Sequence, residues 1–144
     1  METASEVKCI LVLCDDNSCR TQIAEGYLRH FAGARAKVYS AGAESHGVNA
    51  KAVQVMAEDH IDISAQTSNN VSEYLSIPFD YIISVCDNTQ EHFPNFSARA
   101  ERFHCGFPDP AETKGTEEEV LEEFRRVRDM IKVYSADFVS RYLV

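Results

Sequence analysis

Five residues, Asp15-Asp16-Asn17-Ser18-Cys19, separate Cys14 from Arg20, and the run as a whole suits one kind of chemistry. The cysteine offers a nucleophile, the backbone N–H groups of a tight loop offer donors, and the guanidinium offers a planar fork that matches two oxygens of a tetrahedral anion. If a helix opens at Arg20, its N-terminus adds positive potential behind the loop. Such surroundings lower a thiol pKa and raise the thiolate fraction at neutral pH. The expected chemistry is attack by Cys14 on a bound oxyanion. Asn17 can take the left-handed conformation of an anion-binding loop. Thr21 is placed either to donate its hydroxyl to the Cys14 sulfur or to serve as an ordinary first-turn residue.

The flanking pattern supplies the elements this chemistry needs. From Lys8, Cys9-Ile10-Leu11-Val12-Leu13 is a continuous apolar run of strand length, as in a parallel strand buried on both faces, with Cys14 at its carboxyl end. Ile23, Ala24, Tyr27, Leu28 and Phe31 recur at helical spacing, which predicts a helix from about Arg20 to just before Gly33. A strand is expected at Lys37 to Ala41, a helix from Asn49 with Val53 and Met56 inward, and a short helix around Val71, Tyr74 and Leu75. Tyr81 to Val85 reads as a third strand that delivers Cys86, and Arg102 to Cys105 as a fourth, closed by Gly106-Phe107-Pro108-Asp109-Pro110. The last helix announces itself with a capping box at Thr116 and Glu119 and one apolar stripe, Val120, Phe124, Val127, Ile131, Tyr134 and Phe138. Alternating strands and helices predict an α/β, three-layer sandwich with a four-stranded, mostly parallel sheet, whose ligands collect at the carboxyl ends of the strands. Cys14, Cys86 and Asp109 all fall at such ends.

Size and charge narrow the functions. The 144 residues fit a single domain, residues 1–144, with 44% hydrophobic and 26% charged side chains. No apolar run approaches the ~18 residues of a membrane span, and Met1 to Glu6 carry no secretory signal, so the cytoplasm is the expected location and no membrane partner is expected. A formal charge of -9 argues against nucleic acid as a partner, since that binding needs clustered Lys and Arg. Five cysteines at uneven spacing, Cys9, Cys14, Cys19, Cys86 and Cys105, suggest catalytic or buried thiols more than a disulfide framework. No Cys or His spacing repeats as a structural zinc site requires, so no metal is expected.

The chain resembles the low-molecular-weight protein tyrosine phosphatase superfamily, and within it the arsenate reductases that share its fold. The likeness runs through Asn-Ser-Cys-Arg-Thr-Gln-Ile-Ala-Glu-Gly from Asn17, Val-Tyr-Ser-Ala-Gly from Val38, His-Gly-Val-Asn from His46 and Ile-Asp-Ile-Ser from Ile61. It continues through Ser-Val-Cys-Asp ending at Asp87, Phe-Pro-Asp-Pro-Ala from Phe107 and Glu-Phe-Arg-Arg-Val-Arg-Asp from Glu123. Cys86 matches the cysteine that in the reductases attacks the arsenic adduct, and Asp109-Pro110-Ala111 lacks the aromatic residue that helps hold a phosphotyrosine ring.

By this resemblance Cys14, Arg20, Cys86 and Asp109 are the catalytic residues, and Asp15, Asp16, Asn17, Ser18, Cys19 and Arg20 form the oxyanion-binding loop, supported by Thr21. The implied function is reduction of arsenate to arsenite, with Cys86 resolving the Cys14 adduct as a disulfide. Phosphate and sulfate are alternative small oxyanions for the loop. No bound cofactor is implied; an external thiol, from glutaredoxin, a glutathione-like thiol or thioredoxin, recycles the enzyme. Two other functions stay open: a protein tyrosine or small-phosphoester phosphatase using the same Cys14 and Arg20, and a catalytically impaired homologue that binds anions or senses redox state.

Four positions depart from the family pattern. Thioredoxin-coupled reductases usually carry a further cysteine seven residues after the Cys86 type, where this chain has Phe93, so Cys105 is a possible third redox thiol, with a semi-buried strand residue as the alternative. Asp15 and Asp16 stand where the family generally has an uncharged residue and a glycine. Carboxylates near a bound dianion weaken its binding and raise the Cys14 pKa unless they point to water, and a side chain at a positive-φ turn there would add strain. Asn69 replaces an aspartate of the monovalent-cation site that some of these reductases build around residues matching Asn17, Glu25 and Ser40. Glu25 reads here as an ordinary helix residue, and the histidines at 30, 46, 60, 92 and 104 as surface groups.

Overall fold

The structure, a computed structural model, describes residues 7–16, 19–44, 47–85 and 100–143, and of residues 15, 16, 43 and 44 the backbone alone. Four strands, β1 (Lys8–Asp16), β2 (Ala36–Glu44), β3 (Tyr81–Ser84) and β4 (Glu101–His104), form one sheet in the order β2-β1-β3-β4. All three pairings are parallel. The α/β reading of the sequence therefore stands. The chain leaves β1 for β2 on one side and later returns to β3 on the other, so the strand order switches beside β1, where open parallel sheets place their ligands.

The apolar run of β1 is explained by burial on both faces. Ile10, Val12 and Cys14 point to one core, shared with helices α1 (Arg20–Ala32), α2 (Ala50–Glu58) and α3 (Glu117–Tyr142). Leu11 and Leu13 point to a second, closed by Ala41, Val71, Phe79 and Ile82. That face is covered by the segment from Val71 to Phe79, in which the expected short helix is a 3-10 turn, Val71–Tyr74, with Leu75 exposed. Helices, sheet and this segment make the three layers.

Local signals set the element ends. Asn49 caps α2 by accepting from the N–H groups of Lys51 and Ala52, and the inward face of α2 is Ala52, Val55 and Met56, with Val53 only half-buried. At α3 the capping box forms as read: the Thr116 hydroxyl accepts from the Glu119 N–H at 3.1 Å, and the Glu119 carboxylate accepts from the Thr116 N–H at 2.8 Å. Gly26 lets α1 approach the chain after α2, because a Cβ there would lie 2.7 Å from the Ile63 side chain.

Candidate active site

β1 carries Cys14 to the carboxyl edge of the sheet, where its side chain is 1% exposed and its backbone stands in register with Gly42 of β2. The strand does not stop at Cys14, as the sequence suggests, but continues to Asp16, which pairs with Glu44. The cause is β2: at nine residues it runs as far as β1 and keeps offering ladder partners. Asp16 is thus extended rather than turned, and the strain expected of a side chain at a positive-φ position does not arise.

α1 opens at Arg20, and this residue joins two parts of the chain that are far apart in sequence. It is buried, with one guanidinium nitrogen, Nη1, donating to the Phe107 carbonyl at 2.9 Å and the other, Nη2, 3.6 Å from Asp109 Oδ2. Phe107 is itself held by its N–H, which donates to the Val85 carbonyl at the end of β3, and by its ring, which meets Tyr134 of α3 edge-on. The segment after β4 is thereby bent back to the strand ends, and Asp109 arrives beside the α1 N-terminus. There Asp109 Oδ1 accepts from the Ala111 N–H at 3.0 Å, capping a 3-10 turn at Pro110–Glu112, and from the Cys19 thiol at 3.5 Å.

Of the expected site residues, the structure brings together Cys19, Arg20 and Asp109 by direct contact, with Cys14 and Thr21 buried at the same edge. Asn17, Ser18, Cys86, Phe93, His46 and His92 lie outside the described residues, as do the side chains of Asp15 and Asp16. Cys105 follows β4 and is half-buried against the helix-side core; burial pushes its thiol pKa up, which works against service as a third redox thiol. Sequence reading did not anticipate the Cys19 contact with Asp109, since 90 residues separate them and no local pattern reports such a meeting.

Glu25 is a correction. It is 4% exposed, with one carboxylate oxygen accepting from the Ser40 hydroxyl at 2.6 Å and the other paired with Arg29 Nη2 at 2.6 Å. The spacing of Glu25 and Arg29, one helical turn, was a readable signal for the pair; its burial depends on where β2 packs and was not readable. Asn69 nearby donates from Nδ2 to Glu73 and accepts at Oδ1 from Thr67. With Glu25 already neutralised by Arg29 and an amide at position 69, these residues do not fit a monovalent cation. Among the described residues, no three His, Cys, Asp or Glu side chains converge as a metal site would require.

A model of the low molecular weight phosphotyrosine protein phosphatase family matches residues 9–142. The chain belongs to this family. Within it, an arsenate reductase of Halalkalibacterium halodurans is 46% identical over 124 residues, spanning 86% of this chain and 89% of its own. A solved arsenate reductase in its oxidized state superposes with a TM-score of 0.79 at 29% identity, covering 94% of this chain and 98% of that one. An arsenate reductase in the phosphate binding state gives 0.74, also at 29% identity, with the same coverage. In this chain a cysteine, an arginine and an aspartate stand at one sheet edge. A guanidinium, a thiol and a carboxylic acid so placed have the chemistry to bind an oxyanion, attack it with sulfur and protonate a leaving oxygen.

Proposed function

We propose that this protein is an arsenate reductase, with Cys14 as the nucleophile, Arg20 as the anion clamp, Asp109 as the proton donor and Cys86 as the resolving thiol. The observation that carries the reading is the buried Arg20 guanidinium, held at the start of α1 by the Phe107 carbonyl with its second nitrogen facing Asp109. That arrangement sets a fixed positive fork and an acid side by side at the edge where Cys14 emerges. Curated relatives at this level of identity carry the same activity over nearly their whole length, which favours it over a phosphatase.

The reaction balances as follows. The Cys14 thiolate attacks arsenic and forms a sulfur–arsenic bond, while Asp109 gives its proton to the departing oxygen, which leaves as water. The Cys86 thiolate then attacks the Cys14 sulfur. The electron pair of the sulfur–arsenic bond stays with arsenic, which falls from the pentavalent to the trivalent state and departs as arsenite, and a Cys14–Cys86 disulfide remains. Two thiols are oxidised for each arsenate reduced. Because position 93 is phenylalanine, the disulfide is passed directly to an external thiol of the glutaredoxin, glutathione-like or thioredoxin class.

The test is a single turnover. Fully reduced protein is mixed with arsenate in the absence of other thiols, then assayed for arsenite and mapped by peptide mass spectrometry. Stoichiometric arsenite and a new Cys14–Cys86 disulfide are the expected result. Unchanged thiols with turnover of a phosphomonoester would replace this reading by a hydrolase, and anion binding without either reaction would leave an impaired homologue.

A further inference from the structure

The buried face of α1 is apolar except at its opening turns and at Glu25, and a carboxylate in that position is costly unless it is paired and fully hydrogen-bonded. The chain itself supplies a hydrogen bond to one oxygen and an ion pair to the other. The Ser40 hydroxyl of β2 donates to one oxygen, and Arg29, one turn along α1, contacts the other at 2.6 Å. The same Arg29 nitrogen donates to the Val38 carbonyl of β2 at 3.0 Å. One guanidinium nitrogen thus makes the ion pair to Glu25 and the hydrogen bond to β2. Burial pushes the Glu25 carboxyl up, while the Ser40 bond and the Arg29 charge pull it back.

Beside this group lies a cavity of about 120 Å³, whose remaining walls include Tyr39, Gln66, Thr67 and Asn69. The space is large enough for a small hydrated or bare cation, and its lining is polar in character. Its lining charge, however, sums to zero: Glu25 is its carboxylate, Arg29 is its guanidinium, and Asn69 is a neutral amide engaged by Thr67 and Glu73. A monovalent cation entering here would meet a carboxylate already paired and a positive charge beside it, and like charges at such range repel.

We propose that Arg29 is a built-in counter-ion that occupies the role of a bound monovalent cation in this cavity, tying α1 to β2, so that neither potassium nor sodium specifically stabilises this fold. The inference is independent of the reductase reading, because it concerns the folded state and is measured without turnover.

Thermal melting of the whole protein in potassium, sodium and choline chloride at equal ionic strength tests it. The wild-type protein should melt at one temperature in all three salts. Arg29→Gln should melt several degrees lower, and adding Glu25→Gln to it should recover part of that loss by removing the orphaned carboxylate. A wild-type Tm raised by potassium or sodium over choline would overturn the proposal without need of any variant. So would an Arg29→Gln protein that melts like the parent, or a double variant no more stable than Arg29→Gln alone.

Discussion

Replacing Arg20 with lysine keeps a positive charge at the start of α1 and removes the fork, and the structure assigns a separate consequence to each half of that change. The guanidinium serves two clients with two nitrogens, the Phe107 carbonyl through Nη1 and the face toward Asp109 through Nη2. An ammonium on a flexible stem is a point charge and cannot reach both in fixed geometry. If it turns to the site, the Phe107 carbonyl is left buried without its donor, at a cost of about 1–3 kcal/mol. For a chain of this size a loss of about 2 kcal/mol lowers Tm by about 4–8 °C. If it stays with Phe107, the transition state loses the Nη2 donor that faces the site, worth about a hundredfold to a thousandfold in rate.

The assay is the rate of arsenite release in a single turnover, run beside a melting curve of the same preparation. Arg20→Lys should either release arsenite two to three orders of magnitude more slowly, by the same estimate of about 2.7–4 kcal/mol, or melt several degrees below the parent. Parental behaviour in both measurements would refute the whole account of this residue.

Two further substitutions follow from the same reasoning. Cys105→Ser should leave the arsenite yield and the Cys14–Cys86 disulfide of a single turnover unchanged, because burial pushes the Cys105 thiol pKa up and disfavours the attacking thiolate; a mass map showing Cys105 in the product disulfide would contradict this. Asp59 accepts from the Tyr27 hydroxyl at 2.6 Å and pairs with Lys132 at 2.9 Å, and these bonds, Tyr27 first, hold its carboxyl below the usual range. A depressed carboxylate contributes stability above its unfolded pKa of about 4 and loses it as pH falls through the folded value, so Tyr27→Phe should cost about 1.5–3 kcal/mol at neutral pH, and the deficit should shrink in acid below pH ~4. Denaturant melts at pH 7 and pH 3 measure both, and a deficit that does not shrink would sever the link to Asp59.

The parts of the fold that local chemistry decides were legible. The apolar run of β1, the opening of α1 at Arg20 and the Thr116–Glu119 capping box each follow from residues within a few positions of one another. What escaped depended on neighbours distant in sequence. β1 extends past Cys14 because β2 is there to pair with it, and no residue of Cys14-Asp15-Asp16 signals that. Val53 has the right spacing for the core of α2 but lies at its margin. Glu25 read as an ordinary helix residue because its Ser40 partner comes from another element, β2. The capping box of Asn70 and Glu73 was within reach of sequence reading, being local, and shows that a strong signal can pass unnoticed on a segment too short to draw attention as a helix.

The contacts of Asp109 bear on how proton and substrate enter together. In the structure its carboxylate leans on three donors, Ala111 N–H, the Cys19 thiol and, more distantly, the Arg20 guanidinium. Two of these are geometric anchors from the segment and loop around it; the third is the group a tetrahedral anion needs. With Arg20 as the proposed clamp, an incoming oxyanion competes with Asp109 for its Nη2. The protonated form is the one a general acid must have when oxygen departs. On the proposed reading the Ala111 N–H and the Cys19 thiol keep Asp109 in place while the anion takes the Arg20 Nη2 face, Nη1 staying on the Phe107 carbonyl.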